Sequence, residues 1–361
     1  MPGRLAVEFH AVPRLTVQVH AGREVDANVD RLAAFALGDT PSSLSRHPRW
    51  LPVLRDGLGY DAFALEAVEA GVTTGYLPLA HVSSLLFGRF LVSLPFLSSN
   101  GVQAETDEAE AALIDRAVTL ARELGVRYLE LRHERPTDHP AIPDAVTHKV
   151  HMRLALPDGP EKLWKALDAK VRNQVRKGEK SGLAVEWGGL DKLDAFHDVI
   201  ARNMRDLGSP VYGKPLFREI VTAFAGEAEL CVVRSGETPV AAALLLHGPG
   251  VTEVPVASSL RAYNSTCANM LMYRHLLDRA IERRQDVFDF GRSTVDGPTF
   301  KFKKQWGAET FPATWQYHIR RGRLGEMRPE NPRYARLIGL WRRLPLGVTR
   351  VLGPRIVRGI P

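Results

Sequence analysis

Apolar residues recur along the chain in two rhythms. Between positions 25 and 37, Val25, Val29, Leu32, Ala33 and Ala36 fall at helical spacing. A clearer helix runs over 107–124, with Ala111, Ile114, Ala117, Val118 and Ala121 on one face and Gly125 just past its end. Around these lie alternating or wholly apolar runs of strand length, at 5–9, 15–19, 62–70, 72–79, 90–97 and 128–132. A similar order resumes beyond residue 145. Strands are predicted at 149–156, 183–187, 230–234, 239–247, 251–258, 287–290 and 314–320, and helices at 161–180, 193–204, 217–224 and 270–284. The pattern predicts an α/β chain with a mixed sheet, in two units that share an order of elements without sharing residues.

The longest greasy run, 76–97, has the length of a membrane span, but it holds Pro78, His81, Gly88, Arg89 and Pro95. It reads better as two core strands broken near Ser83 and Ser84. Two cysteines, Cys231 and Cys267, are too few for a disulfide framework, and the first ten residues carry no export signal, so the expected compartment is the cytoplasm. The formal charge is +7. From Arg320 onward there are eleven arginines, no lysine and two acids, so the body is nearly neutral and the basic character belongs to the tail. That excludes a chain-wide DNA-binding face. No close His/Cys spacing among the twelve histidines suggests a metal.

Three blocks stand in order: KVRNQVRKGEKSGL at 170–183, SSLRAYNSTCANMLMYRHLLDRAI at 258–281 and VFDFGRSTVDGPTFKFKKQWG at 287–307. Together they resemble the FemAB-like branch of the GNAT acyltransferase superfamily. The group most similar is the FemAB-related one associated with exosortase/PEP-CTERM systems, and the likeness extends over 75–101 and the C-terminal segment. The resemblance implies tandem GNAT-like domains at 1–145 and 146–325, followed by a basic amphipathic tail at 326–361. It also implies amide formation between an activated acyl donor, acyl-CoA or aminoacyl-tRNA, and an amine on a glycan or peptide precursor of the envelope or an exopolysaccharide. No cofactor is permanently bound in such a reaction. The competing reading is a non-catalytic module that holds an anionic glycan intermediate and is tethered by its tail.

Such chemistry needs an anionic carrier held in place, a neutral amine, and stabilisation of charge on the carbonyl oxygen. Lys303, in the element Phe302-Lys303-x-x-Trp306, matches the FKxx-aromatic motif of the Fem ligases. On an aromatic-bounded strand it would stabilise an oxyanion; otherwise it belongs to a solvated lysine run. Asp289 can orient a cation or accept a proton from the amine, or it is one half of a structural ion pair. Arg292 can grip a phosphate or sit in a rim salt bridge. Arg172, Arg176 and Lys180 share a helix face, with Asn173 and Lys177 nearby, which suits a polyphosphate or RNA as well as it suits bulk water. Tyr263, Asn264 and Asn269 lie where CoA-using relatives carry a glycine-rich turn; the glycines are missing here, and Asn269 reads as a helix N-cap.

In the tail, Asn331-Pro332 reads as a helix start, followed by Tyr334, Leu337, Ile338 and Trp341 at helical spacing among arginines. Three placements stay open: against the inner face of the cytoplasmic membrane, against tRNA, or against the protein body with the arginines outward.

Overall fold

The computed structural model describes residues 14–38, 41–324 and 335–361. The strand expected at 5–9 and the helix start at Asn331-Pro332 lie outside them. The chain opens with β1 (Thr16–Ala21), α1 (Arg23–Leu37), α2 (Trp50–Leu58), β2 (Asp61–Glu69), β3 (Val72–Ser84) and β4 (Gly88–Val92). After β5 (Gln103–Ala104), a short partner of β3, come α3 (Asp107–Glu123) and β6 (Tyr128–His133). β7 (Asp144–Ala155), α4 (Pro160–Ala166) and α5 (Ala169–Lys180) follow. The first order then recurs as β8 (Leu183–Gly188), α6 (Leu193–Leu207), α7 (Lys214–Ala223), β9 (Ala228–Ser235), β10 (Thr238–His247), β11 (Val251–Ser259), α8 (Ala268–Glu282) and β12 (Val287–Thr294). The remainder is α9 (Pro298–Lys304), β13 (Glu309–Ile319), α10 (Ala335–Trp341) and α11 (Leu346–Val357).

All thirteen strands join one sheet, in the order β1-β2-β3-β4-β6-β13-β7-β12-β11-β10-β9-β8, with β5 beside β3. Each repeat is an antiparallel meander that ends in one parallel pair, β4 with β6 and β11 with β12, bridged by α3 and α8. Parallel neighbours need such a crossover. β13 and β7 pair antiparallel at the centre and bind the repeats together, β13 against β6 and β7 against β12. Helices cover both faces, which is why the middle strands are apolar throughout: Val240 to Leu246 of β10 are all buried. On one face α1, α2, α6 and α7 share a single core. On the other, α3 covers the first repeat, and α5 and α8 cover the second. The local signals are ordinary ones. Thr106 accepts a hydrogen bond from the Ala109 N–H at the start of α3, and Asp107, Glu108 and Glu110 crowd its first turn.

Several expectations need correction. The predicted helix over 161–180 is two helices, broken at extended Leu167, a buried anchor. The strand expected at 90–97 stops at Val92, because Leu94 and Phe96 flank Pro95 with positive φ. Lys303 lies on a helix, not a strand: Gly297 precedes Pro298, which starts α9 as prolines do at a first helical position. Asn269 is not the N-cap of α8. That place belongs to Cys267 in left-handed conformation, with no side-chain cap. α2 was not foreseen.

Candidate active site

The pairing of β11 with β12 lasts only from Val251–Val287 to Glu253–Asp289. Pro255 has no N–H to continue the ladder, and β12 is irregular against β7 between Asp289 and Arg292. Gly291, at φ +75, makes the turn there. The strands part, and a cavity of about 260 Å³ opens between them. β11 contributes Glu253, Val254 and Ala257; β12 contributes Asp289 to Arg292; β7 contributes His151 and Arg153. The first repeat supplies Ser43, Ser45, Arg46, Phe96 to Ser99 and Glu134, so the site is built from both repeats.

α9 delivers Lys303 into this cavity. Phe302 and Trp306, one turn apart, pack against the ring of Tyr273 with centroids at 4.8 and 6.3 Å. Lys303, between them in sequence, turns toward β12. Its Nζ donates to the carbonyl oxygens of Gly291 (3.0 Å) and Arg292 (3.2 Å). An ammonium has three protons. Among the described residues these two carbonyls are its only acceptors, which leaves one proton for a ligand. Burial lowers the Lys303 pKa to about 8, partly offset by the negative charge of Asp289.

Asp289 has both oxygens engaged. Oδ2 accepts from Arg153 Nε (2.8 Å) and Oδ1 from the Gly291 N–H (2.7 Å). It therefore fixes the turn whose carbonyls hold Lys303. The same Arg153 reaches Glu134 of the first repeat. Burial alone would raise Glu134, but the bond and charge of Arg153 outweigh it and hold that carboxyl at about 2. Glu253 accepts from the N–H (2.9 Å) and hydroxyl (2.7 Å) of Ser45, pinning the segment before α2 to β11. Burial, and next the Asp289 charge, raise its pKa. Burial also depresses His151, despite Asp289 and Glu134 nearby, so it is a neutral imidazole at neutral pH. Among the described residues nothing bonds its Nε2. Arg292 places its guanidinium over the indole of Trp315, 3.3 Å from the ring centroid.

Of the residues singled out from the sequence, Lys303, Asp289 and Arg292 converge on the cavity, and Phe302 and Trp306 support them. The others lie elsewhere. Arg172 donates to the carbonyl oxygens of Leu167 and Lys165, closing the end of α4. Arg176 bonds Asn173 and sits over the Trp164 ring, while Lys177 is exposed on the same helix. Tyr263 and Asn264 form a 3₁₀ turn between β11 and α8, and Asn269 stands in the first turn of α8. His151, Arg153, Glu134, Glu253 and Ser45 were missed. Only the alternation of His151 and Arg153 on β7 hinted at a shared face, since the carboxylates arrive from separate strands.

Residues 166–304 match the acetyltransferase (GNAT) domain family. No curated protein sequence matches the chain significantly. Among solved structures, FemX aligns at a TM-score of 0.61 and 15% identity, over 80% of this chain and 95% of its own. L-PGS from Bacillus licheniformis aligns at 0.54 and 12%, over 98% and 99%. The C-terminal domain of a putative lysylphosphatidylglycerol synthetase from Agrobacterium fabrum aligns at 0.53 and 13%, over 81% and 92%. At such identities the likeness is one of fold. The domain match places a GNAT acetyltransferase domain at 166–304, and with the recurring β-α-α-β-β-β-α-β order it supports an acyltransferase that joins an acyl donor to an amine-bearing substrate. The fold is similar to that of FemX over most of the chain. The reading as a non-catalytic module gives way accordingly. GNAT domains take acyl-CoA as a co-substrate and hold no permanent cofactor.

Proposed function

We propose that the enzyme transfers an acyl or aminoacyl group, from acyl-CoA or aminoacyl-tRNA, to a primary amine on an envelope or exopolysaccharide precursor, at the inner face of the cytoplasmic membrane. The division into domains at 1–145 and 146–325, with a tail from 326, belongs to the same reading. The reaction takes place where β11 and β12 part. The amine nitrogen attacks the donor carbonyl carbon and the C=O electrons move onto oxygen. The remaining proton of the Lys303 ammonium meets that oxyanion. His151, which lines the cavity, takes the proton lost by nitrogen and returns it to the leaving thiolate or ribose oxygen as the tetrahedral adduct collapses. Asp289 and Arg153 act as positioning residues. Arg172, Asn173, Arg176 and Lys177, with Tyr263, Asn264, Asn269 and Arg292, are the candidates for holding the donor's anionic part. The observation that carries this reading is a buried ammonium and a neutral imidazole that line one cavity between splayed strands.

The test is purified enzyme offered an amino-sugar or peptide amine with either donor. Thiol release with acyl-CoA identifies the first donor. Ribonuclease-sensitive amide formation with charged tRNA identifies the second. An enzyme that forms amide with neither, while an unaltered envelope mass accompanies its loss from cells, contradicts the proposal.

A further inference from the structure

α10 and α11 are anchored to α6. The Trp341 indole N–H donates to the Ser209 carbonyl (3.1 Å), Arg342 donates to Leu207, and Arg350 pairs with Asp198. α11 turns its small face inward. Thr349, Gly353 and Val357 are buried, and a Cβ on Gly353 would lie 3.0 Å from the Val211 nitrogen. The greasy stripe consequently faces out, the reverse of a helix that packs on a protein body. Leu337, Leu340, Val348, Val351 and Leu352 are all exposed, Leu337 at 62% and Val351 at 59%. Gly359, just after α11, touches Ser84 and Phe87 of the β3–β4 hairpin, whose tip holds out Leu85 and Leu86. These seven are among thirteen exposed large hydrophobic side chains in the described residues, so more than half stand on one small part of the surface. Arg336, Arg342, Arg343, Arg355 and Arg358 are exposed among them, and residues 335–361 contain no acid.

We infer that α10, α11 and the 84–88 hairpin tip form one docking surface for an anionic phospholipid bilayer. The inference rests on the reading that the enzyme works at the membrane, and it assigns the residues that bring it there. Within α10 and α11 the apolar stripe has arginines and no acid beside it, which matches an interface with acyl chains below and phosphates around them. A second copy of the chain is a poorer occupant, because it would set arginines against arginines. Among the described residues no helix is long and apolar enough to cross a membrane, so the contact is peripheral. The surface also lies near the cavity. Phe96 in the cavity wall meets the Tyr212 ring at 5.3 Å, and the neighbouring Val211 packs on Gly353 of α11.

The experiment is sedimentation of the full chain with vesicles of phosphatidylcholine alone, and of phosphatidylcholine and phosphatidylglycerol in equal parts. The enzyme should pellet with the second and not the first, and less so as salt rises. V351D/L352D, L85S/L86S and R355Q/R358Q should each weaken binding on the order of tenfold, with turnover on a water-soluble acceptor unchanged as evidence of intact folding. Variants that bind as the parent does overturn the inference. So does a concentration-dependent dimer that V351D/L352D dissolves, because a second copy would then cover the stripe. Vesicle binding without acyl transfer to any amine would overturn the proposed reaction and leave the surface standing.

Discussion

The sheet contains two parallel junctions, and they differ in one decisive way. In the first repeat, β4 pairs with β6 at Leu91–Leu129 and Val92–Glu130; in the second, β11 pairs with β12 up to Glu253–Asp289. Each pairing ends on a carboxylate of the second strand, and each pair of strands then parts. Two residues beyond the carboxylate the first repeat has Arg132 and the second has Gly291. Arg132 fills its own gap. It pairs with Glu130 at 2.7 Å and donates to the carbonyl oxygens of Leu97 and Leu94, while its backbone N–H donates to Ser93. Gly291 fills nothing, so the corresponding gap is the cavity, with Lys303 brought in from α9. A splayed junction is thus a feature of the topology, and the side chain placed at its mouth decides whether it becomes core or cleft. One indole serves both junctions: Trp315 on β13 takes the guanidinium of Arg132 at 4.0 Å and that of Arg292 at 3.3 Å.

The comparison is broken most severely at the filled junction. Arg132 and Glu130 are each about 5% exposed, so Arg132→Ala strands a carboxylate in the core and should cost ~3–5 kcal/mol. Chemical denaturation measures it. A loss under about 1 kcal/mol would mean that Arg132 is a passive filler and that the first junction tolerates emptiness, contrary to what buried ion pairs show elsewhere.

The open junction should respond in turnover and not in stability. Lys303→Met removes the group proposed to meet the oxyanion and should lower kcat roughly 100- to 1000-fold, with the acceptor KM little changed. Initial rates across acceptor concentrations separate the two. A variant that kept its kcat would remove Lys303 from the chemistry.

The pH profile sharpens the same point. In the proposed reaction His151 must be neutral to take a proton, and burial depresses it from 6.5, so activity should rise through an acid limb below 6.5. Lys303 must be protonated, and its pKa is about 8, so activity should fall above that. Arg in place of Lys303 stays charged and should abolish the alkaline limb. Asp289→Asn removes the charge that holds the Lys303 pKa up and should move the limb toward lower pH. A limb that stays near 8 in both variants belongs to another group.

Much of this was legible in the sequence, and the failures are informative. Helices with long apolar stripes, α1 and α3 above all, were readable from their period, and α3 also from the glycine just past its end. Lys303, Asp289 and Arg292 were readable because one contiguous block carries them. The aromatic spacing of Phe302 and Trp306 is helical, yet Lys303 was expected on an aromatic-bounded strand; Pro298 at the first helical position was the better guide. His151, Glu253, Glu134 and Ser45 were hidden because they meet only when β7, β11, the residue after β6 and the segment before α2 come together across the centre of the sheet. The basic face of α5 read from its spacing equally as a ligand face and as a solvated one. Arg172 in fact spends its guanidinium on the carbonyls that end α4, an interaction that depends on a break at Leu167 which periodicity concealed.

The mildest intervention bears on the difference most directly. Gly291 sits at φ +75, where any other L-residue is strained, yet space is not the obstacle: a Cβ there would meet only the Val254 carbonyl oxygen, at 3.9 Å. Gly291→Ala should therefore cost about 1 kcal/mol through the backbone alone. The same turn presents the carbonyls of Gly291 and Arg292 to Lys303, and Asp289 fixes it through the Gly291 N–H. Relaxing it should shift the ammonium by a fraction of an ångström and lower kcat by roughly 3- to 10-fold, since misplacement of a catalytic group is costly even when it is small. Thermal melting and kcat measured together distinguish the outcomes. A small fall in both fits a strained turn that holds the lysine. A fall in melting temperature with kcat untouched would show that Lys303 finds its place without these carbonyls, and that the glycine serves only to keep the cleft empty.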